Sequence, residues 1–375
     1  MRSNQWLAAA AAAVLALGLA ACGSNDESPS GGGSGGSSTS SGAKQGGTIN
    51  GAGATFPQPV YTEWAARFKD QTGTTVNYQG VGSGGGIAQF TAGTVDFGAT
   101  DSAMSDDELK AAQAKGEPVH VPTVLGAVTV AYSIDGVSAG LKLDGATIAD
   151  IFLGKINNWN DPALKQLNPD KPLPAGNITV CHRSDESGTT KNFTAFLAAY
   201  SKAWASGPGS DKSVKWPTGT GAKGNDGEAA CIKQNSGSIG YVEQAYALAN
   251  NMTVSSVKNK SGNFVAPSLA SASAAAQDLT IPSDLRFATI DAPAKDAYPI
   301  TALTFLLVYQ DMCKAGLDQA KARAVKAWLQ YGEGAGQGVA KQLQYAPLPA
   351  DLKAKANEKI AGLQCNGKSI TVPAT

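Results

Sequence analysis

The chain has 375 residues, and its 30 lysines and arginines balance its 30 aspartates and glutamates, which gives a formal net charge of +0. A formally neutral chain gives no indication of binding to nucleic acid or to an acidic polymer, so we expect neither as a partner. Any anion site is therefore local, built from backbone amides and a few side chains. The length also exceeds that of one ordinary domain and predicts two.

The N-terminus has the pattern of a secretory signal. Arg2 precedes an apolar run over residues 6–21, which is shorter than the roughly 20 residues of a membrane span and ends in Leu-Ala-Ala before Cys22. Small residues directly before a cysteine resemble a bacterial lipobox, so we predict that residues 1–21 are a signal peptide and that Cys22 is lipidated. The alternative is a single membrane-spanning anchor. Residues 22–46 are mostly small and polar, which predicts a flexible tether.

The elements predicted up to residue 133 are a strand at 47–52, a helix that opens at Pro57, strands at 75–78 and 95–99, a helix at 106–114, and strands at 119–124 and 126–133. Alternation of strands and helices at this spacing is typical of an α/β domain with a largely parallel sheet. In the first of these helices, Trp64 and Phe68 lie one turn apart and are candidates for the core.

The elements predicted after residue 133 are a helix at 147–152, a strand at 178–180, a helix with an apolar face at 193–200, a strand at 238–242, a helix at 243–250, a strand at 299–309, and helices at 317–331, 339–343 and 351–363. The strands at 126–133 and 299–309 carry the chain between the two domains. We therefore predict lobe I from residues 47–125 plus 293–375 and lobe II from residues 126–292.

Besides Cys22, the chain has four cysteines, an even number that predicts two disulfide bonds in an exported chain. Four cysteines allow three pairings. We favour Cys181–Cys231 and Cys313–Cys365, because each pair then stays within one predicted domain. A zinc site is the alternative, but the chain has no CxxC spacing and only two histidines.

Four short segments offer hydrogen-bond donors suited to a small oxyanion, and each lies where a predicted strand gives way to a helix. They are Ala54-Thr55-Phe56, Gly82-Ser83-Gly84, Ala99-Thr100-Asp101 and the run from Arg183 to Thr189. In the last segment, free backbone amides and the helix macrodipole favour an anion, and the Arg183 guanidinium can bind two oxygens as a fork. The structural alternative for each segment is an ordinary helix cap or a flexible turn.

Asp101 is the most discriminating residue of this set. A carboxylate beside an oxyanion repels it, unless a proton on the ligand forms a hydrogen bond between the two. Phosphate carries such a proton at neutral pH and sulfate does not, so Asp101 favours the first ligand and excludes the second. The alternative is that Asp101 caps the following helix. Asp185 and Glu186, beside Arg183, have the simpler interpretation of orienting the guanidinium.

Several sequence segments resemble the phosphate-binding subunit of the high-affinity phosphate ABC transporter. They are GAGATFP at 51–57, YQGVGSGGG at 78–86, VDFGATD at 95–101, IFLG at 151–154, WND at 159–161, RSDESGTT at 183–190, SIGYVE at 238–243 and YPIT at 298–301. These segments run in order over nearly the whole globular part. The resemblance implies an α/β, two-domain periplasmic-binding-protein fold, in which each lobe has a mixed, mostly parallel sheet flanked by helices and closes on one phosphate.

The resemblance also implies the ligands. By motif they are Thr55, Phe56, Ser83, Asp101, Arg183, Ser187, Gly188 and Thr189. Phe56 and Gly188 act through backbone N–H groups, and Asp101 acts as an acceptor. The small residues of the loop around Ser83 vary within the family, so the amide of Gly84 is an alternative donor there.

We therefore predict a receptor without enzymatic activity that binds mono- and dibasic phosphate and delivers it to the permease and ATPase subunits of an ABC transporter. The expected location is the extracytoplasmic face of the bacterial cell membrane, with a lipid anchor at Cys22. We expect a monomer with no cofactor and no metal.

Three alternatives remain open. One is a receptor for sulfate or another tetrahedral oxyanion, against which Asp101 argues. A second is a secreted phosphoesterase, but Ser187 and His182 lie five residues apart before a helix, which is not a catalytic geometry. The third is an adhesin or antigen on the same fold, and the presence of Asp101 and Arg183 argues against it.

Overall fold

The computed structural model describes residues 46–277 and 280–372. The predicted signal peptide, Cys22 and nearly all of the predicted tether lie outside the described residues. Among the helices of the described ranges, none has the length and apolarity that crossing a membrane requires.

The helices are α1 Gln58–Thr72, α2 Ser83–Ala92, α3 Asp106–Gln113, α4 Gly145–Phe152, α5 Pro162–Leu167, α6 Gly188–Tyr200, α7 Lys202–Ser206, α8 Gly224–Gln234, α9 Gln244–Ala249, α10 Leu269–Ala274, α11 Gln319–Glu333, α12 Gly336–Gln342 and α13 Ala350–Ala361. The strands are β1 Thr48–Gly53, β2 Thr75–Gly80, β3 Phe97–Thr100, β4 Pro118–Ser133, β5 Lys142–Leu143, β6 Thr179–Arg183, β7 Thr220–Ala222, β8 Ser238–Glu243, β9 Thr253–Val254, β10 Ser256–Lys258, β11 Phe264–Val265, β12 Thr301–Tyr309, β13 Gln364–Cys365 and β14 Lys368–Ser369. The predicted elements agree with these to within a few residues, apart from the two strands that β4 replaces.

One nine-stranded sheet organises the fold, in the order β2-β1-β3-β12-β4-β8-β6-β7, with β9 also paired to β4. At one end β1 is parallel to β2 and β3, and at the other β6 is parallel to β7 and β8. Between these groups, β12 and β4 run antiparallel to their neighbours. Because parallel neighbours end at the same edge, the carboxyl ends of β1 and β3 lie together, as do those of β6 and β8.

β4 is a single 16-residue strand, buried over nearly all its length, where the sequence predicted two shorter strands. It pairs with β12 up to Ala127 and with β8 from Val128 onward. The carbonyl of Ile300, just before β12, accepts a hydrogen bond from the Val128 amide at 2.8 Å. β4 and β12 thus both run through this part of the sheet. β4 is continuous through Gly126, and its change of partner falls between Ala127 and Val128.

Apolar periodicity in the sequence identified the buried helix faces. Trp64 and Phe68 of α1 are buried and make edge-to-face ring contacts with Trp328 of α11. On α6, Phe193 is buried and stacks on Tyr241 of β8 at a centroid distance of 4.2 Å. These contacts fix α1 against α11 and α6 against the sheet, and with them the loops at the N-termini of α1 and α6.

Both predicted disulfide bonds are present. Cys181–Cys231 links β6 to α8, and Cys313–Cys365 links the segment after β12 to β13. The first bond ties the strand that ends at Arg183 to a helix whose start faces the same region. The favoured pairing among the three possible ones is therefore confirmed.

Candidate functional site

The four predicted donor segments all follow a strand or open a helix. β1 ends two residues before Thr55, β3 ends directly before Asp101, and β6 ends at Arg183. Ser83 is the first residue of α2, and Gly188 is the first residue of α6. Free amides at the helix starts and side chains at the strand ends are therefore the groups available for a ligand.

Ser83 joins three of these segments. Its Oγ accepts hydrogen bonds from the amides of Asp101 at 3.2 Å and Gly188 at 3.1 Å. The Asn192 side chain donates to the carbonyls of Asp101 and Gly188, at 2.7 and 2.9 Å. Because a hydroxyl oxygen has two acceptor lone pairs and both are used, the hydroxyl hydrogen of Ser83 is left to donate to another group.

Gly188 occupies a position where no larger residue fits. A Cβ added there would lie 2.5 Å from Ser83 Oγ and 2.7 Å from Asp101 Cβ. The close approach brings the start of α6 into direct contact with the start of α2 at Ser83 and with Asp101, directly after β3. The absence of a side chain is what allows these segments to meet.

Arg183 is buried, and an acidic side chain holds its guanidinium in place. Nε and Nη2 donate to the Asp185 carboxylate at 2.7 and 2.5 Å, and Nη1 donates to Thr189 Oγ1 at 3.5 Å. Burial works to raise the pKa of Asp185, but its hydrogen bonds and charge interaction with Arg183 outweigh burial and lower it. Asp185 therefore remains an anion that orients the guanidinium, as the sequence suggested.

Ser187 is the N-cap of α6, because its Oγ accepts a hydrogen bond from the Thr190 amide at 3.2 Å. The ordinary capping role considered for this residue is thus realised in the structure. Thr189, in the first turn, is completely buried. The 13-residue helix leaves its N-terminal dipole directed at this buried polar region.

Thr55 makes a contact that the sequence did not predict. Its Oγ1 accepts hydrogen bonds from the backbone amide and the side-chain Nδ2 of Asn225, at 3.1 and 2.9 Å. Both lone pairs are again used, so the hydroxyl hydrogen of Thr55 is also left to donate. Asn225 lies at the start of α8, next to Gly224, whose amide donates to Asp185 Oδ1 at 3.1 Å.

Sequence reasoning missed Asn225 because no helix was predicted there. Its neighbours Gly224 and Gly227 are typical of a turn rather than of a helix start. The one available signal was an asparagine beside a glycine in front of an Ala-Ala-Cys-Ile segment. Its partner Thr55 lies 170 residues away in sequence.

Phe56 follows Thr55 and is completely buried. In the part of the chain that the structure describes, its backbone amide donates to no protein acceptor. Its ring packs against β4, where a Cβ on Gly126 would lie 2.7 Å from Phe56 Cζ. The Phe56 amide is therefore a donor available for a ligand.

Asp101 is the acid of the site and is only 2 % exposed. Its Oδ1 accepts a hydrogen bond from Thr304 Oγ1 of β12 at 3.0 Å. Burial raises the pKa of Asp101 to about 7, although the Thr304 hydrogen bond and the charge of Arg183 act in the opposite direction. At neutral pH this carboxyl group is therefore close to its point of half-protonation.

The chemistry of this arrangement is that of binding. It combines hydroxyl and amide donors, one guanidinium and one proton-sharing acid around a helix N-terminus. Among the described residues, no group of three or more histidine, cysteine, aspartate or glutamate side chains is placed to hold a metal ion. His182 Nδ1 lies 3.1 Å from the Arg183 carbonyl and its ring stacks on Trp216. In the described part of the chain no hydrogen bond joins Ser187 Oγ to the His182 ring, so these two residues do not form a nucleophile–base pair.

Comparison with known proteins agrees with the fold and the motifs. Residues 38–332 match the model of a family described as a PBP superfamily domain. The chain is 43 % identical over 313 residues to the phosphate-binding protein PstS of Haemophilus influenzae, which covers 82 % of this chain and 91 % of that protein. It is 38 % identical over 370 residues to the phosphate-binding protein PstS 3 of Mycobacterium tuberculosis, which covers 94 % and 97 % of the two chains.

Solved structures share the fold at lower identity. A periplasmic phosphate-binding protein named PfluDING, bound with phosphate, has a TM-score of 0.69 and 24 % identity, over 87 % of this chain and 100 % of that chain. A phosphate-binding protein of Stenotrophomonas maltophilia has a TM-score of 0.66 and 21 % identity, over 86 % and 99 %. The architecture is thus the two-lobe α/β fold of periplasmic binding proteins. With relatives that it covers over nearly their whole length, this chain belongs to the PBP superfamily and, within it, to the PstS phosphate-binding protein family.

Proposed function

We propose that the protein is an extracytoplasmic receptor that binds one inorganic phosphate, mono- or dibasic, between two lobes and delivers it to the permease of an ABC transporter. The observation that carries this proposal is the position of Asp101, a buried acid whose Cβ and backbone amide pack closely against Gly188 at the start of α6. An ionised acid beside an oxyanion is tolerated only if a proton lies between them. Phosphate supplies that proton at neutral pH.

The proposed ligands are the eight residues that the family motifs imply. They are Thr55, Phe56, Ser83, Asp101, Arg183, Ser187, Gly188 and Thr189. The hydroxyls of Thr55 and Ser83 support this assignment, since their lone pairs are occupied and their hydrogens are left to donate. The Gly188 amide already donates to Ser83, so we propose that it is shared between Ser83 and a phosphate oxygen.

We further propose that the lobes are residues 47–125 plus 293–375 and residues 126–292. Support comes from β4 and β12, which link the two parallel groups of strands, and from hydrogen bonds that join the proposed lobes across the site. The Gly84 amide donates to the Glu186 carbonyl at 3.0 Å, and Lys212 Nζ forms a salt bridge with Glu108 at 2.8 Å. We propose that these contacts hold the cleft closed and that they break when it opens to release the ligand.

Anchoring and delivery complete the proposal. Residues 1–21 act as a signal peptide, and lipidated Cys22 holds the receptor, through the tether at 22–46, at the outer face of the cell membrane. The partners are the permease and ATPase subunits of a phosphate ABC transporter, and the receptor acts as a monomer. It performs no chemistry on its ligand. Relatives named phosphate-binding protein support the binding of phosphate, and the sequence pattern around Cys22 supports the anchor.

Calorimetric titration of phosphate-stripped protein that begins at Gly46 tests the function. At pH 8.5, where Asp101, with a pKa raised by burial to about 7, is ionised, we expect tight one-to-one binding of phosphate that excess sulfate does not displace. The absence of heat with phosphate would refute the proposal. An equal response to both anions would keep the receptor but refute the role of Asp101. In parallel, hydrolysis of a chromogenic phosphomonoester would indicate a phosphoesterase instead.

A further inference from the structure

Two tyrosine hydroxyls hold the carbonyl groups on either side of the Phe56 amide. Tyr246, in α9, donates to the Thr55 carbonyl at 2.6 Å, and Tyr345, after α12, donates to the Phe56 carbonyl at 2.7 Å. The Thr55 carbonyl and the Phe56 N–H belong to one trans peptide unit, in which they point in opposite directions. By fixing the carbonyl, the Tyr246 hydroxyl therefore fixes the direction of the N–H.

A buried glutamate connects these two tyrosines. Glu243 ends β8 and caps α9, where its Oε2 accepts a hydrogen bond from the Ala245 amide at 2.7 Å. The same oxygen lies 3.0 Å from the Tyr345 hydroxyl. The side chain is completely buried, and its Oε1 has no hydrogen-bond partner among the described residues. Glu243 thus touches Tyr345 directly and sets the start of the helix that carries Tyr246.

Counting protons shows which form of Glu243 fits. The Tyr345 hydroxyl has one hydrogen but two neighbouring acceptors, the Phe56 carbonyl and Glu243 Oε2. If Glu243 is ionised, one of these contacts places two lone pairs against each other. If Glu243 carries a proton, it donates to Tyr345, which donates to Phe56, and both contacts are favourable. An ionised carboxylate would also leave Oε1 buried as an unpaired anionic oxygen.

The charged groups around Glu243 favour the same form. Burial is the main cause that raises the pKa of Glu243 well above its ordinary value, and Asp101 adds repulsion. The contact with the Tyr345 hydroxyl and the hydrogen bonds from the amides of Ala245 and Tyr246 act in the opposite direction. Around the neighbouring Tyr246, the charged groups are Asp226, Asp101 and Arg183, of which only the last is a cation.

We infer that Glu243 is a neutral acid in the folded protein, and that Glu243, Tyr345 and Tyr246 are positioning residues that direct the Phe56 amide at the bound anion. The part that concerns the anion rests on the proposed function. The protonation of Glu243 does not depend on the proposed function, because it is argued from the hydrogen-bond geometry and burial of Glu243 itself.

The positioning role is tested with tyrosine-to-phenylalanine variants. Tyr246→Phe and Tyr345→Phe each remove one hydroxyl, and we expect each to weaken phosphate binding by about tenfold, the equivalent of one net hydrogen bond. Tyr132→Phe is the matched control, because its hydroxyl donates to the Ser138 carbonyl at 2.8 Å, away from the proposed ligands. It should lower the melting temperature without changing phosphate affinity. Unchanged affinity in both site variants would overturn the positioning role.

The protonation of Glu243 is tested with Glu243→Gln, or with Glu243→Met if the first variant does not fold. A group whose pKa is raised by folding contributes stability at low pH that is lost as the pH rises toward the folded pKa. The stability advantage of the parent over the variant should therefore shrink as the pH rises from about 5 to about 9. A constant difference over that interval would overturn the neutral acid.

Infrared difference spectroscopy of parent minus variant gives a second readout. We expect the carbonyl band of a protonated carboxyl group at neutral pH, and a carboxylate band in its place would overturn the assignment. If the parent binds no phosphate, the proposed function fails, and the infrared band and the stability profile still decide whether Glu243 is neutral.

Discussion

The substitution Asp101→Asn tests whether one acid sets the choice of anion. The asparagine has the shape of the aspartate, and its Oδ1 can still accept the hydrogen bond from Thr304 that Asp101 accepts at 3.0 Å. Where the aspartate has a second oxygen that accepts, the asparagine has Nδ2, which donates. The change therefore removes the negative charge and reverses the direction of one hydrogen bond, and leaves the buried surroundings intact.

The size of the effect follows from Coulomb's law. Two like charges about 4 Å apart repel by about 4 kcal/mol at the effective dielectric constant of about 20 that suits protein sites. Asp101 is only 2 % exposed, so solvent screens it little. Removal of this repulsion should strengthen sulfate binding by about a thousandfold. The affinity for phosphate should fall or change little. The new amide can donate a hydrogen bond to dibasic phosphate, but it cannot accept the proton that the phosphate carries.

The assay is titration calorimetry of parent and variant with each anion at pH 8.5, at constant ionic strength, where Asp101 of the parent, with a pKa raised by burial to about 7, is ionised. We expect the variant to bind both anions. In the parent, sulfate binding should emerge only as the pH falls below about 7, because protonated Asp101 can itself donate a hydrogen bond. If Asp101→Asn excludes sulfate as strongly as the parent, the charge of Asp101 is not the origin of the selectivity.

Three further substitutions have defined outcomes. Gly188→Ala places a Cβ 2.5 Å from Ser83 Oγ. It should lower the free energy of unfolding by about 1–3 kcal/mol in denaturant unfolding and abolish tight phosphate binding in titration. A variant that binds phosphate normally would refute the close approach. Asn225→Asp offers the Thr55 hydroxyl an acceptor, which should turn that hydroxyl away from the ligand and lower phosphate affinity by about tenfold in titration. Unchanged affinity would show that Thr55 is not a ligand. Arg183→Lys loses the two-point hydrogen bond to a carboxylate or an oxyanion, and phosphate affinity should fall by more than tenfold in the same assay.

The sequence predicted which candidate residues lie near each other where these residues follow strands. Parallel neighbours end at one edge of a sheet, so Thr55 after β1 and Asp101 after β3 had to lie near the same edge. The turn to α6 at Ser187 was recognisable from its local glycine and hydroxyl residues. These features are local, and local chemistry sets them.

The groups that support the candidate ligand residues could not be predicted in the same way. Asn225 meets Thr55 across 170 residues, and Tyr345 meets Phe56 across 289 residues. No periodicity or turn pattern encodes such pairs, because tertiary packing alone brings them together. The continuity of β4 was missed for a related reason, since Gly126 is typical of a break in a strand and only its neighbours in the sheet show otherwise.

Gly126 has a consequence of its own. It lies in the middle of a 16-residue strand, where glycine normally weakens pairing, and the Phe56 ring fills the space that a side chain would occupy. The loop that carries the proposed donor amide of Phe56 therefore rests directly on the strand that changes partners between the two parallel groups. A bend of β4 at this point would press on the ring or release it, and would couple the curvature of the strand to the position of that amide. A methyl group at Gly126 would act on the same coupling through the Phe56 ring, without removing any of the proposed ligand groups.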